Sequence, residues 1–350
     1  MPILLQPGLP AAEMLRAEGV PVTETTVVPD AALRIGLVNL MPDRARAEQQ
    51  WGRLLGAAPE TVSLSLFSAA RGASPAAYRP IEDAATGPLD GLIVTGAPVE
   101  TLPFDEVRYW PALAALFDHA AASSIPTLSV CWAAMAALHH FHGVAKHTLP
   151  RKAFGLYAQA VQRPGDPLMQ GIGPRFAVPV SRHATVLAAD VAAGGAEVLA
   201  ASAATGVSIA ADAARGHTML LDHLEYDGDT LLSEFLRDRA AARPAFPPAG
   251  LALGAAREPT WRPVAHLVLR NWLAQVARAK VLRQPADLLS WLLAPPSGRS
   301  GPTRLVLTLD DGVTTEAAEH LATHALAMPG VRDALLRGPG HAGLALRAAA

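Results

Sequence analysis

The chain has a single cysteine, Cys131, in 350 residues. One thiol cannot close an internal disulfide or build a Cys-rich zinc centre. That excludes a disulfide-stapled secreted scaffold and points to a reducing compartment. Lysine is almost as scarce, with three among the 29 basic residues. The formal net charge is −2, so no overall basic surface is available to grip nucleic acid. No apolar run is long enough to read as a membrane span. The richest stretch, residues 120–141, is interrupted by Ser123, Ser124, Pro126 and the pair His139-His140. The N-terminal Met1-Pro2-Ile3-Leu4-Leu5 has no basic segment ahead of an apolar one, so no signal peptide is read. The expectation is a cytoplasmic protein with neither a membrane nor a nucleic-acid partner.

What the chain does have is apolar bulk. Half of it (51%) is hydrophobic, enough for a large core and too much for disorder. Alanine supplies 71 residues, which blurs every alanine-based helix signal. Short apolar runs precede helical patterns several times. Strands are expected at 33–40, 62–67 (half-buried, from its alternation), 89–95 and 127–130, with helices at 43–55, 110–122 and 132–142. Further strands are read at 176–180, 196–200, 206–211 and 218–221, and helices at 231–239 and 266–283. Strands alternating with helices argue for an α/β fold, a mostly parallel sheet covered on both faces. Residues 240–262, rich in Ala, Pro and Gly, read as a loop. The run Ala294-Pro295-Pro296-Ser297-Gly298 opens a linker over 294–302. The expected organisation is an N-terminal extension (1–32), a catalytic domain (33–293), the linker, and a small appendage (303–350) with a strand at 304–308 and a helix at 314–328.

Cys131 stands between an apolar strand and a helix, in Thr127-Leu128-Ser129-Val130-Cys131-Trp132. In α/β enzymes such a turn exposes a side chain at the carboxyl edge of the sheet. The following helix N-terminus favours a thiolate, and the Trp132 N–H can meet a developing oxyanion. A nucleophilic cysteine needs a base, and the base needs an orienting carboxylate. His223 and Glu225 follow an apolar strand in Leu221-Asp222-His223-Leu224-Glu225 and can supply both. Read from the residues alone, a merely buried cysteine and a solvated loop histidine stay open. His139, His140 and His142 read as helix-face residues, and no metal site is expected.

Taken together, Ile35-Gly36-Leu37-Val38-Asn39-Leu40-Met41-Pro42, Asp90 through Gly96-Ala97-Pro98, Tyr109-Trp110, Val130-Cys131-Trp132, Glu225-Tyr226-Asp227 and Asn271-Trp272-Leu273 resemble the homoserine O-acyltransferases of methionine biosynthesis. The similarity runs from about residue 33 to 273. That resemblance implies a class I glutamine-amidotransferase-like fold and a triad of Cys131 as nucleophile, His223 as base and Glu225 as orienter. It implies ping-pong transfer from acyl-CoA, a co-substrate, to homoserine, with no permanently bound cofactor, and it allows a homodimer. It also implies substrate contacts from Lys152, Ser181, Arg182, Glu234 and Arg237. Arg44 stands where CoA phosphates could be met. The backbone of Val99, in the Gly96-Ala97-Pro98-Val99 loop, joins Trp132 as the second oxyanion donor. Glu100 stands where a glutamate goes with acetyl-CoA and a glycine with succinyl-CoA; its charge would repel a succinyl carboxylate. Asp222, Leu224, Val180 and Ala158-Gln159 depart from the family pattern, which leaves a serine-like acceptor open. An amidotransferase-like hydrolase and a non-catalytic binding homologue remain the alternatives.

Overall fold

A computed structural model describes residues 2–69, 77–251 and 259–283, together with three short strands beyond them. The chain divides into two units, 1–277 and 278–350. The first is built on one large sheet. Its strands are β1 (Ile3–Leu5), β2 (Val22–Glu24), β3 (Leu33–Val38), β4 (Val62–Ser68), β5 (Tyr78–Pro80), β6 (Gly91–Val94), β7 (Thr127–Val130), β8 (His147–Val161), β9 (Arg175–Thr185), β10 (Glu197–Ser202), β11 (Gly206–Asp212) and β12 (His217–Leu220). Their order is β2-β1-β4-β3-β6-β7-β12-β11-β10-β8-β9, with β5 beside β4. From β2 to β12 every pairing is parallel. From β12 to β9 every pairing is antiparallel. The sheet is therefore mostly parallel, as expected.

Alternation on the parallel strands sends side chains to two cores. Leu33, Ile35 and Leu37 of β3 join one, and Val38 joins the other. The first core takes Leu15 of α1 (Pro10–Ala17), Trp51, Leu54 and Leu55 of α2 (Arg44–Gly56), and Val268, Leu269, Trp272 and Leu273 of α7 (Arg262–Arg283). The second takes Leu113 and Phe117 of α3 (Trp110–Ala122), the buried stretch 132–138 of α4 (Trp132–His142), and Val191 of α5 (Ala188–Ala193). The eleven-residue α6 (Thr230–Ala240) lies after the triad segment. Asp43 starts α2 by accepting the Arg46 N–H at 3.1 Å, an N-cap that satisfies one of the free donors of the first turn.

Three expectations change. Residues 2–32 are not merely an extension ahead of the domain: β1 pairs with β4, and Ile3 and Leu15 lie in the first core. The alternating β4 is buried almost throughout, because helices cover both faces of a parallel sheet. The segment 147–161, for which no element was expected, is a long strand, β8. The loop at 244–251 closes on it. The Leu156 N–H donates to Ala249 O at 2.8 Å, and the Ala249 N–H donates to Phe154 O at 3.0 Å. Gly155, at φ +145°, permits this approach, since a Cβ there would lie 2.3 Å from Ala249 O.

In the second unit β13 (Arg304–Thr308), the expected strand, pairs parallel with β14 (Asp333–Arg337), which pairs antiparallel with β15 (Ala345–Arg347). The linker expected at 294–302 and the helix at 314–328 lie outside the described residues. Among the described residues no helix is long and apolar enough to cross a membrane.

Candidate active site

β7 and β12 are parallel neighbours, with Val130 opposite Leu220. Cys131 follows β7 and His223 follows β12, so both emerge at the carboxyl edge of the sheet. The Cys131 N–H donates to Leu220 O at 2.7 Å, which ties the two strand ends together. Cys131 has φ +52° and ψ −113°, a strained setting for a residue with a Cβ. It turns the chain sharply from β7 into α4 and presents the thiol at the helix N-terminus. Trp132 is the first residue of α4, so its N–H has no intrahelical acceptor.

His223, the expected base, sits directly behind. His223 Nδ1 lies 2.7 Å from Glu225 Oε1, and both side chains are buried. That carboxylate fixes the ring and leaves Nε2 for Cys131, with which His223 also hydrogen-bonds. Burial alone would push the imidazole down. The Glu225 carboxylate and the neighbouring Cys131 side chain outweigh it and hold His223 well above its ordinary value. Gly96 keeps the space open. A Cβ at Gly96 would lie 3.2 Å from Cys131 Cβ and 3.7 Å from His223 Cε1.

A second polar group adjoins Cys131, His223 and Glu225. The Glu234 carboxylate, on α6, accepts from Tyr226 Oη at 2.6 Å through Oε1. Through Oε2 it accepts from Ser181 Oγ at 2.6 Å and Lys152 Nζ at 3.1 Å. Burial would raise this carboxyl, but Lys152 and the two hydroxyls hold it below the ordinary value. Lys152 also lies 3.7 Å from Asp238. The β8–β9 hairpin carries Lys152 and Ser181 to the site. On β9 the Pro179 carbonyl accepts the His223 N–H at 2.9 Å, and the Ser181 carbonyl lies 4.0 Å from the Cys131 thiol.

The structure thus brings together Cys131, His223, Glu225, Lys152, Ser181 and Glu234. Arg237 stands one turn along α6, mostly exposed, with its guanidinium on Asp238 Oδ1 at 3.0 Å. It reaches the cluster only through that carboxylate. Arg182 does not face the site. Its guanidinium is fully buried, donating to the carbonyl of Thr205 and lying 3.6 Å from Asp222. Its neighbours on β9 alternate faces, so the Ser181 that reaches Glu234 sends Arg182 the other way. The Val99 N–H is also not free: it donates to Ala97 O at 2.9 Å, closing a tight turn at Pro98. Glu100 Oε1 accepts the His183 N–H at 3.0 Å, which places it beside the strand that carries Ser181. Arg44 hydrogen-bonds Ser68 Oγ at 3.0 Å and lies over the Tyr78 ring.

The three histidines of α4 have other partners. His140 meets Asp118, His142 lies between Gly194 O and Asp212, and His139 stacks on Phe104. Among the described residues no cluster suits a metal ion. Tyr226 and Asp238 escaped the sequence reading as site residues. Tyr226 was visible only as the middle of Glu225-Tyr226-Asp227, and nothing local tells which way its ring turns.

The sequence profile of the homoserine O-succinyltransferase family matches residues 2–281. A homoserine O-acetyltransferase of Novosphingobium aromaticivorans is 44% identical over 78% of this chain and 95% of its own length. One of Rhizorhabdus wittichii is 40% identical over 86% and 98%. Among solved structures, a glutamine amidotransferase from Methylobacillus flagellatus superposes with a TM-score of 0.50 at 16% identity, over 71% of this chain and 95% of that one. That likeness speaks for the fold alone. The profile and the two relatives show that the chain belongs to the homoserine O-succinyltransferase family of acyltransferases.

Proposed function

We propose that the protein transfers an acyl group from acyl-CoA to the hydroxyl of homoserine through an acyl-cysteine, with acetyl-CoA as the preferred donor. The observation that carries this reading is the buried chain Cys131–His223–Glu225, with its 2.7 Å contact between imidazole and carboxylate. In the first half-reaction the Cys131 thiolate attacks the thioester carbonyl. The tetrahedral intermediate collapses, the bond to the CoA sulfur breaks, and the His223 imidazolium gives its proton to that sulfur. The acyl-cysteine that remains is itself a thioester and keeps the acyl carbon activated. In the second half-reaction neutral His223 takes the proton of the acceptor hydroxyl, whose oxygen attacks the acyl carbon. The Cys131 sulfur leaves as thiolate beside the imidazolium, and the cycle closes.

Glu225 holds the ring and stabilises its cationic form in both halves. The Trp132 N–H, free at the start of α4, is the donor for the oxyanion. For a second donor, the Val99 N–H would have to leave Ala97 O, so donor binding would open the turn at Pro98. Glu234 is the group for the acceptor's ammonium, and Lys152 and Arg237 are the cations for its carboxylate. Glu100 supports the choice of donor. Held against the His183 N–H, it sets a fixed negative charge beside the hairpin that carries Ser181, unfavourable to the free carboxylate of a succinyl group.

The test is an intact mass after mixing the protein with acetyl-CoA or succinyl-CoA alone. A gain of about 42 Da, lost in Cys131→Ala and discharged by homoserine, is expected with acetyl-CoA. No adduct from either donor, at a pH where iodoacetamide alkylates the thiol, refutes covalent transfer. Discharge by serine in preference to homoserine refutes the acceptor.

A further inference from the structure

Tyr226 is buried between the two halves of the site. Its ring lies face to face with the His223 imidazole, the centroids 4.2 Å apart and the planes 20° from parallel. Its hydroxyl donates to Glu234 Oε1 at 2.6 Å. Its carbonyl accepts the Trp261 Nε1–H at 3.0 Å, and its ring packs with Phe154, Leu231 and Phe235. Tyr226 thus touches both His223 and the carboxylate that Lys152 and Ser181 share. Burial and the nearby Glu234 carboxylate push the Tyr226 phenol well above its ordinary value, so the hydroxyl stays a donor.

We infer that Tyr226 is a positioning residue that fixes the acceptor-binding carboxylate Glu234 relative to the base His223 and stabilises the imidazolium through its ring face. This rests on the acyl-transfer reading above. The two contacts separate by chemistry. The hydroxyl orients Glu234: once it takes Oε1, the remaining lone pairs point toward Ser181, Lys152 and an incoming ammonium. The ring offers its electron-rich face to the imidazole, which favours the protonated form. Acyl-cysteine formation does not use the acceptor, so it depends on the ring. Discharge to the acceptor depends on both.

Two variants and two readouts test this. Tyr226→Phe keeps the ring and removes the hydroxyl. Its KM for homoserine should rise about tenfold, the size of one lost hydrogen bond to a charged group. Its first-turnover release of CoA should fall at least fivefold less than its discharge rate. Tyr226→Leu removes the ring as well. The acid limb of its discharge profile should move to lower pH by about half a unit, because the imidazolium loses its aromatic partner. An unchanged KM in Tyr226→Phe, or equal losses in both half-reactions, overturns the orienting role. An unmoved acid limb in Tyr226→Leu overturns the ring's role. If the wild-type protein forms no acyl-cysteine, the transfer reading itself has failed, and that outcome is visible before either variant is made.

Discussion

Replacing Gly96 with alanine adds one methyl group against Cys131 and His223. Its carbon would lie 3.2 Å from Cys131 Cβ, and 3.7 Å from both His223 Cε1 and Val130 O. The first distance is a few tenths of an ångström short of ordinary contact, so something must give. The Cys131 backbone resists, since it is held at φ +52° between α4 and the 2.7 Å bond to Leu220 O. The Cys131 side chain or the Gly96 loop must give instead, which misplaces the thiol relative to the imidazole. A misplacement of about 1 Å can cost about 100-fold in rate, so a few tenths should slow acyl-cysteine formation roughly three- to tenfold. Overpacking of this kind costs about 1–2 kcal/mol, which lowers Tm by only a few degrees in a domain of this size. Rapid-quench release of CoA in the first turnover measures the rate, and a thermal melt measures the fold. A normal rate with a normal Tm refutes the crowding. A large drop in Tm with a normal rate refutes the link to the thiol and makes Gly96 a packing residue.

Three further outcomes follow from the same contacts. Glu225→Gln removes the carboxylate that raises His223, so turnover should fall by about 100-fold or more. A histidine raised by folding contributes stability below its unfolded value of about 6.5 and loses it as pH climbs through the folded value, so the Tm advantage of wild type over this variant should be largest near pH 6 and shrink toward pH 9; a pH-independent gap refutes the coupling. Glu100→Gly should raise the use of succinyl-CoA relative to acetyl-CoA by about tenfold in competition assays, and an unchanged ratio removes Glu100 from donor choice. Arg182→Met leaves Asp222 buried without its cation, so chemical denaturation should show a loss of about 3 kcal/mol while the KM for homoserine moves less than threefold; a large KM change at intact stability would return Arg182 to the substrate site.

The surroundings of Cys131 were legible because they are local. A four-residue strand of Leu128 and Val130 alternating with small hydroxyl residues, a cysteine and a helix with small residues in its first turn specify β7, the turn and α4 without help from elsewhere, and their bounds come out as read. β8 was illegible for the opposite reason. It carries Pro150, Arg151, Lys152 and Gly155, is partly exposed, and owes its conformation to its pairing with β9 and the loop at Ala249. The convergence of Lys152, Ser181 and Glu234 has no signature in spacing, since each comes from a different element; only resemblance to a family pointed there. The same resemblance carried Arg182 along with Ser181, and strand alternation separates them. Tyr226 needed both of its partners in view before its ring and hydroxyl meant anything.

The pairing of β7 with β12 has a consequence for how the protein is made. Between these neighbours in the sheet the chain runs through the whole antiparallel region β8 to β11. Closing so long a loop is slow compared with forming α4 or any single hairpin. Until β12 docks, Cys131 lacks the neighbouring His223 imidazole and Glu225 carboxylate. A nascent or refolding chain therefore carries its one thiol in an unpaired form and acquires a reactive centre only when the last central strand is seated. Regain of iodoacetamide sensitivity during refolding should lag behind regain of helical signal, and the delay would time the closure of the sheet.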